Sequence, residues 1–280
     1  MSALIWASRF GSLTCAIPGC ETASVTLPGG TGESVVSIDY TYDALCRLTS
    51  AVYSNGIAFH YTYDAAGNVL EYTSTINGIS TTTTYTYDDA NQLLTATKDS
   101  TTWHYTYDGN GSLVETSPDS SGPANGAKRY TSTAAGFLLK VETYADSWHT
   151  QAEMTYDGLG NRLQMTAYAD GQSLTTQYEL DNDRVLSADA AGNITFYLYG
   201  LGPIGELTDA WNYSLPDGGN TPRQLADANA EITFAASYTP WGDTLETFGT
   251  GRFTQGYLRI FRRYYGRCHW IDLRRQRPVL

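Results

Sequence analysis

Tyr61-Thr62-Tyr63-Asp64-Ala65-Ala66-Gly67-Asn68-Val69-Leu70-Glu71 returns further along the chain as Met154-Thr155-Tyr156-Asp157-Gly158-Leu159-Gly160-Asn161-Arg162-Leu163-Gln164. The Tyr-Thr-Tyr-Asp tetrad at Tyr61–Asp64 also stands at Tyr40–Asp43, Tyr85–Asp88 and Tyr105–Asp108. Weaker copies stand at Met154–Asp157 and Tyr178–Asp181, and an eroded one at Tyr130–Thr133. The terminal positions of these seven copies fall 21, 24, 20, 25, 24 and 24 residues apart. A drifting period of that size marks an array of short structural units, not a globular domain around one active site.

The unit reads as a β-hairpin. Tyr61 and Tyr63 share a face because side chains alternate along a strand. Asp64 then accepts backbone N–H groups from the residues that follow, which fixes a turn. Gly67 and Gly160 sit where a three-residue loop needs a positive φ and leaves a bulge. Leu70 and Leu163 are expected to return to the core face. Cys46 and Gln92 lie beside the glycine slot in otherwise matching copies, Thr133 replaces an Asp, and Asn182 takes the left-handed position after Asp181. A single hairpin is marginal in water, so side-by-side stacking must supply stability. Seven units give about fourteen strands, too many for a flat sheet. The expected fold is all-β: tandem β-hairpin repeats forming a curved, spirally wound sheet.

Composition agrees with that class. The 280 residues include 22 Tyr and 27 Gly but only 3 Met; Tyr suits a half-buried sheet and Gly its turns. The net charge of -12 is uneven. Residues 1–251 hold 9 basic and 28 acidic side chains, whereas 252–280 hold 8 Arg and one Asp. The acidic array repels nucleic acid and anionic membranes, so no nucleic-acid partner is expected. No apolar run is long enough to span a bilayer, and no signal peptide is recognised at the N-terminus. Residues 1–36 read as an irregular lead-in, 37–200 as the hairpin array, 201–250 as a distinct terminal segment, and 251–280 as a divergent Arg-rich tail.

Chemistry-bearing residues fall into the repeat. Asp43, Asp64, Asp88, Asp108, Asp157 and Asp181 invite a metal or paired-carboxylate interpretation, but they share one turn slot, where capping explains them. His60 and His104 occupy equivalent positions on the face opposite Tyr61 and Tyr105 and read as ladder residues. Cys15, Cys20, Cys46 and Cys268 form no framework or zinc pattern. The Tyr pairs and Trp103, Trp148, Trp211 and Trp241 suit cross-strand packing first and sugar stacking second. No Ser–His–Asp arrangement, phosphate loop or cofactor fingerprint is expected. The chain is therefore read as having no catalytic residues, cofactor or metal.

These motifs resemble the YD-repeat proteins, called RHS-repeat proteins in bacteria and related to the teneurin shell of animals. The resemblance covers about residues 38–249. Asp217, Gly218, Arg223, Leu225, Asp227 and Tyr238-Thr239-Pro240-Trp241-Gly242 are similar to the segment near the end of an RHS core, with Asn220 in place of a Gly. Arg263-Tyr264-Tyr265 and Gly266-Arg267 lack the two Asp-Pro pairs of the family's final signature, so the aspartate-dependent self-cleavage of some members is expected to be absent. The resemblance implies a non-enzymatic, incomplete YD shell, a fragment of a larger secreted or cell-surface protein. It would enclose or present another polypeptide, such as a C-terminal toxin. The alternative is an extracellular carbohydrate- or protein-binding repeat module. Open strand edges add an expectation of self-association.

Overall fold

Alternating Tyr and Thr residues punctuated by Asp-x-x-Gly turns leave the backbone one economical solution, which is to fold back on itself repeatedly. The computed structural model describes residues 23–27, 36–45, 47–182, 184–200, 203–216, 222–238 and 244–249. These residues form twenty-one strands. The first eight are β1 (Ala23–Leu27), β2 (Val36–Tyr42), β3 (Leu48–Tyr53), β4 (Ala58–Tyr63), β5 (Val69–Ile76), β6 (Ile79–Tyr87), β7 (Leu93–Lys98) and β8 (Thr101–Tyr107). Next come β9 (Leu113–Ser117), β10 (Lys128–Ser132), β11 (Leu138–Tyr144), β12 (Trp148–Tyr156), β13 (Arg162–Ala169), β14 (Gln172–Asp181), β15 (Arg184–Ala190) and β16 (Asn193–Tyr199). The last five are β17 (Pro203–Leu207), β18 (Trp211–Pro216), β19 (Pro222–Ala226), β20 (Ile232–Tyr238) and β21 (Thr244–Gly249).

Sequence neighbours pair antiparallel from β1 to β4, from β6 to β16 and from β17 to β21. The fold is thus all-β, built of tandem hairpins. Strand β1 lies inside the stretch expected to be an irregular lead-in. It pairs with β2 from Ala23↔Tyr40 to Leu27↔Val36, so the ladder begins earlier than the tetrads do. The described residues divide into two compact units. One holds 23–62, 71–81 and the described part of 197–249; the other holds 63–70 and the described part of 82–196.

The Asp43, Asp88, Asp108 and Asp157 hairpins carry a register shift at the same place. Thr86 pairs with Thr95 but Tyr87 with Leu93, which leaves Leu94 as an extra residue. Thr155 pairs with Gln164 but Tyr156 with Arg162, leaving Leu163 extra. This bulge corrects the expected core assignment. Leu163 is 42% exposed and Leu70 likewise 42%. The residue one position earlier takes the core place: Leu48, Val69 and Leu93 are buried. An inserted residue reverses the alternation of faces for that position, so a simple period-two count from the turn picks the wrong leucine.

One sheet face collects the aromatic and aliphatic side chains. In the first unit Phe59 is fully buried, stacks on Tyr72 at 6.1 Å and meets Tyr53 edge-on at 5.8 Å. Leu225, Phe234 and Ala236 form a second cluster with Tyr238 against it, and the Tyr53 hydroxyl donates to the Tyr238 carbonyl at 3.0 Å. In the second unit Tyr130, Val141, Ala152 and Met154 are the core, flanked by Leu113, Leu138, Tyr156 and Met165. The opposite face carries cross-strand hydroxyl pairs such as Thr86–Thr95 at 2.6 Å, Thr97–Thr102 at 2.9 Å and Thr166–Thr175 at 2.9 Å. These are sheet-stabilising pairs that leave the face wettable.

Candidate functional site

The Asp turns are the most regular constellation of ionisable groups in the chain. In each, the Asp N–H donates to the carbonyl four residues on. The residue three on donates to the Asp carbonyl, as Gly67 does to Asp64 and Gly160 to Asp157. One carboxylate oxygen accepts the N–H groups two and four residues on: Ala90 and Gln92 for Asp88, Asn110 and Ser112 for Asp108, Leu159 and Asn161 for Asp157. In three of the turns the second oxygen takes the side chain of the fourth residue. Asn68 fills that role for Asp64 at 2.8 Å, Asn161 for Asp157 at 2.9 Å, and the Arg47 guanidinium for Asp43 at 2.6 Å. These bonds explain why Asn follows the turn glycine.

Electrostatics follow from the bonds. Partial desolvation works to raise the Asp43 and Asp64 pKa values, but hydrogen bonds from Arg47 and from Asn68 and its neighbours hold both below the ordinary value. The Asn161 amide does the same for Asp157, and the Glu231 N–H for Asp227. A carboxylate held ionised by donors is suited to capping, not to proton transfer near neutral pH.

One member of the series differs from expectation, and one turn outside the series matches it. Asp181 lies in β14 opposite Arg184, so that hairpin turns tightly with Asn182 at φ 54, and among the described residues no backbone N–H donates to the Asp181 carboxylate. Asp227, placed by sequence in the terminal segment, builds the full turn: its oxygen accepts Asn229 and Glu231 N–H, with Ala230 at φ 66 in the glycine slot. No Tyr-x-Tyr precedes Asp227, which is why the pattern missed it. Thr133 keeps its turn by substituting a hydroxyl, which accepts the Phe137 N–H at 3.1 Å. Cys15, Cys20, Cys46, Cys268, Trp241 and the 251–280 tail lie outside the described residues.

Successive turns in the second unit also touch. The fourth-residue side chain of one turn reaches the glycine slot of the next: the Asn68 amide donates to Asn91 Oδ1 at 2.7 Å, Gln92 approaches Gly111, and the Phe137 ring covers Gly160. The Tyr before the Asp adds a second tie in two of the turns. Tyr87 donates to the Val69 carbonyl at 2.9 Å and Tyr156 to Leu138 at 2.8 Å. Tyr107, whose buried hydroxyl makes no well-formed hydrogen bond, faces the equivalent Leu93 carbonyl.

The remaining candidates resolve into packing. Arg129 lies 3.9 Å over the Trp148 ring, which meets Tyr144 edge-on, and Trp211 stacks on Tyr213. Trp103 lies beside Gly126. His60 sits opposite Ser50, and His104 between Thr95 and Ser117. Asp146, Ser147 and His149 do come together on an exposed turn. Both partners bond the same ring nitrogen, at 3.1 and 3.2 Å, whereas a relay needs opposite nitrogens. Among the described residues, no group of three or more His, Cys, Asp or Glu side chains could hold a metal ion, and no helix is long and apolar enough to cross a membrane.

Comparison with known proteins returns a family. Low similarity links the chain to the TcdB2–TccC3 crystal structure, with 11% identity over 81% of this chain and 18% of that one, at a TM-score of 0.37. The Photorhabdus luminescens Tc holotoxin pore matches at 13% identity over 80% of this chain and 17% of that one, also at 0.37. A porin-like protein from Bacteroides uniformis matches at 12% identity over 80% and 92%, at 0.35. The chain spans less than a fifth of the length of the toxin-complex chains it matches. No curated protein matches it. The teneurin YD-shell family model matches residues 25–252, from within β1 to just past β21. With carboxylate-capped turns recurring within that span, the chain belongs to the teneurin YD-shell family.

Proposed function

We propose that this chain is a piece of shell wall that encloses or presents another polypeptide, such as a toxin segment joined to the parent protein, outside the cell or at its surface. As a member of the YD-shell family it is a non-enzymatic β-repeat scaffold. The observation that carries the finer reading is where the polar chemistry goes. The turn carboxylates are engaged in closing their own hairpins, and the Tyr87 and Tyr156 hydroxyls donate to carbonyls of the preceding repeat. What remains available is extended sheet surface, which suits holding a chain and not transforming one. The Arg-rich tail is assigned no role in this reading, and 251–280 stays a separate segment from the array.

The test is protection. An unstructured reporter peptide fused after Leu280 of the full chain should resist a non-specific protease longer than the same peptide fused to an unrelated β-protein. Equal digestion rates would contradict an enclosing role. A shortened product formed on expression, at a site reproducibly within the chain, would restore the self-cleaving alternative.

A further inference from the structure

We propose that Asn77-Gly78, the loop between β5 and β6 in the first unit, is a self-modification site, where Asn77 converts without an enzyme to aspartate and isoaspartate through a succinimide. Asn-Gly occurs four times, at Asn55-Gly56, Asn77-Gly78, Asn110-Gly111 and Asn125-Gly126. All four asparagines are exposed, so access to water does not separate them. The backbone does. Asn77 has φ 52 and Gly78 φ 74, nearly the 51 and 74 of Asp170 and Gly171, which close a two-residue loop between Ala169 and Gln172. Such a loop bonds its flanking residues to each other and turns its middle N–H toward solvent. The Gly78 N–H and the Asn77 carboxamide accordingly have no hydrogen-bond partner among the described residues. The Thr75 and Ser80 hydroxyls, 2.8 Å apart, tie the strands just below the tip.

The other three pairs are restrained. The Gly56 N–H donates to the Tyr53 carbonyl at 3.0 Å, Gly111 to Asp108 at 3.0 Å and Gly126 to Tyr144 at 2.8 Å. Asn55 Oδ1 also accepts the Ile57 N–H at 3.3 Å, and the Gln92 and Trp103 side chains approach Gly111 and Gly126. The space around Gly78 is open. The reaction uses this difference. The Gly78 nitrogen gives its proton to base in the solvent and attacks Asn77 Cγ, forming the N–C bond of the ring. The Cγ–Nδ2 bond breaks, and Nδ2 takes a proton from water and leaves as ammonia. A water molecule then opens one of the two ring carbonyls, giving aspartate or, with the chain rerouted through Cβ and Cγ, isoaspartate. One water is consumed, one ammonia is released and nothing is oxidised. A nitrogen already donating to a carbonyl must first break that bond, and glycine adds no Cβ to crowd the ring. Isoaspartate lengthens the backbone of a loop whose length sets strand register, and either product places a negative charge at the tip.

The experiment ages the purified full chain at mildly alkaline pH, folded and in parallel unfolded in urea. Peptide mass mapping follows all four Asn-Gly pairs, and enzymatic methyl transfer scores isoaspartate. In the folded chain Asn77 should convert at least about fivefold faster than Asn55, Asn110 or Asn125, the factor that breaking one backbone hydrogen bond imposes. In urea the four rates should agree within about twofold, because the backbone bonds that separate them are gone. Asn77→Gln should remove the fast release of ammonia and leave the far-UV CD spectrum and the other three rates unchanged. The proposal is overturned if Asn77 converts no faster than the other three in the folded chain, or if it keeps its lead in urea. It is equally overturned if Asn77→Gln leaves the fast ammonia release in place. Failure here leaves the shell-wall reading intact, since that reading rests on enclosure and not on this tip.

Discussion

At the scale of single residues, the turn carboxylate does more than close a loop. Asp64 accepts the Asn68 N–H and the Asn68 amide, and Asn68 in turn bonds Asn91 of the next turn. Asp64→Ala should therefore loosen two hairpins. After discounting for solvent screening, the cost is about 1 kcal/mol by chemical denaturation, with a larger loss if the turns act cooperatively. The lowered Asp43 and Asp64 pKa values add a sign. Their stabilisation is complete above the unfolded-state value near 3.8 and disappears as pH falls through the lower folded value. Tyrosine sets the other limit. Burial pushes Tyr107, Tyr130 and Tyr238 up to about 12 from 10.0. The unfolded chain then ionises first, so stability is full below pH 10 and declines between about 10 and 12. A pH series of urea melts should give a plateau between about pH 4 and 10. Ionisation of all 22 tyrosines before the fold is lost would contradict the burial of these hydroxyls.

Among elements, the bulge after each turn separates neighbours that sequence treats alike. Leu93 is 4% exposed and Leu94 40%. Leu93→Ala should cost about 2–3 kcal/mol, as core truncations do, and Leu94→Ser should stay within about 0.5 kcal/mol. Equal costs would mean that the register is wrong. This is also where legibility ended. Period-two alternation and the Asp-x-x-Gly spacing sufficed for the hairpin, the loop length and the left-handed position, because all three depend on residues adjacent in sequence. They could not place Leu70 and Leu163, whose faces depend on an extra residue across the ladder. Nor could they exclude Asp181, which pairs with Arg184, or find Asp227, whose turn lacks the tyrosines. Strand β1 carries no tetrad and is legible only through its partner β2.

For the whole molecule, the repeat explains stability as a sum of short-range ties between neighbouring hairpins, the behaviour of repeat arrays. The ladders begin at β1 and end at β21, and strand edges are pairing templates unless covered. The isolated chain should therefore self-associate, and light scattering at micromolar concentration should report a mass above 30.6 kDa. A monodisperse monomer would mean that the ends are covered. The claim on which everything else stands is that carboxylate-held turns recur along the chain, and hydrogen exchange by NMR tests it most directly. The amides of Asn68, Gln92, Ser112, Asn161 and Glu231 each donate to a turn Asp. All five should exchange slowly at neutral pH, including Glu231, which no sequence motif marks. Exchange of these five at the rate of an unstructured peptide would contradict the account.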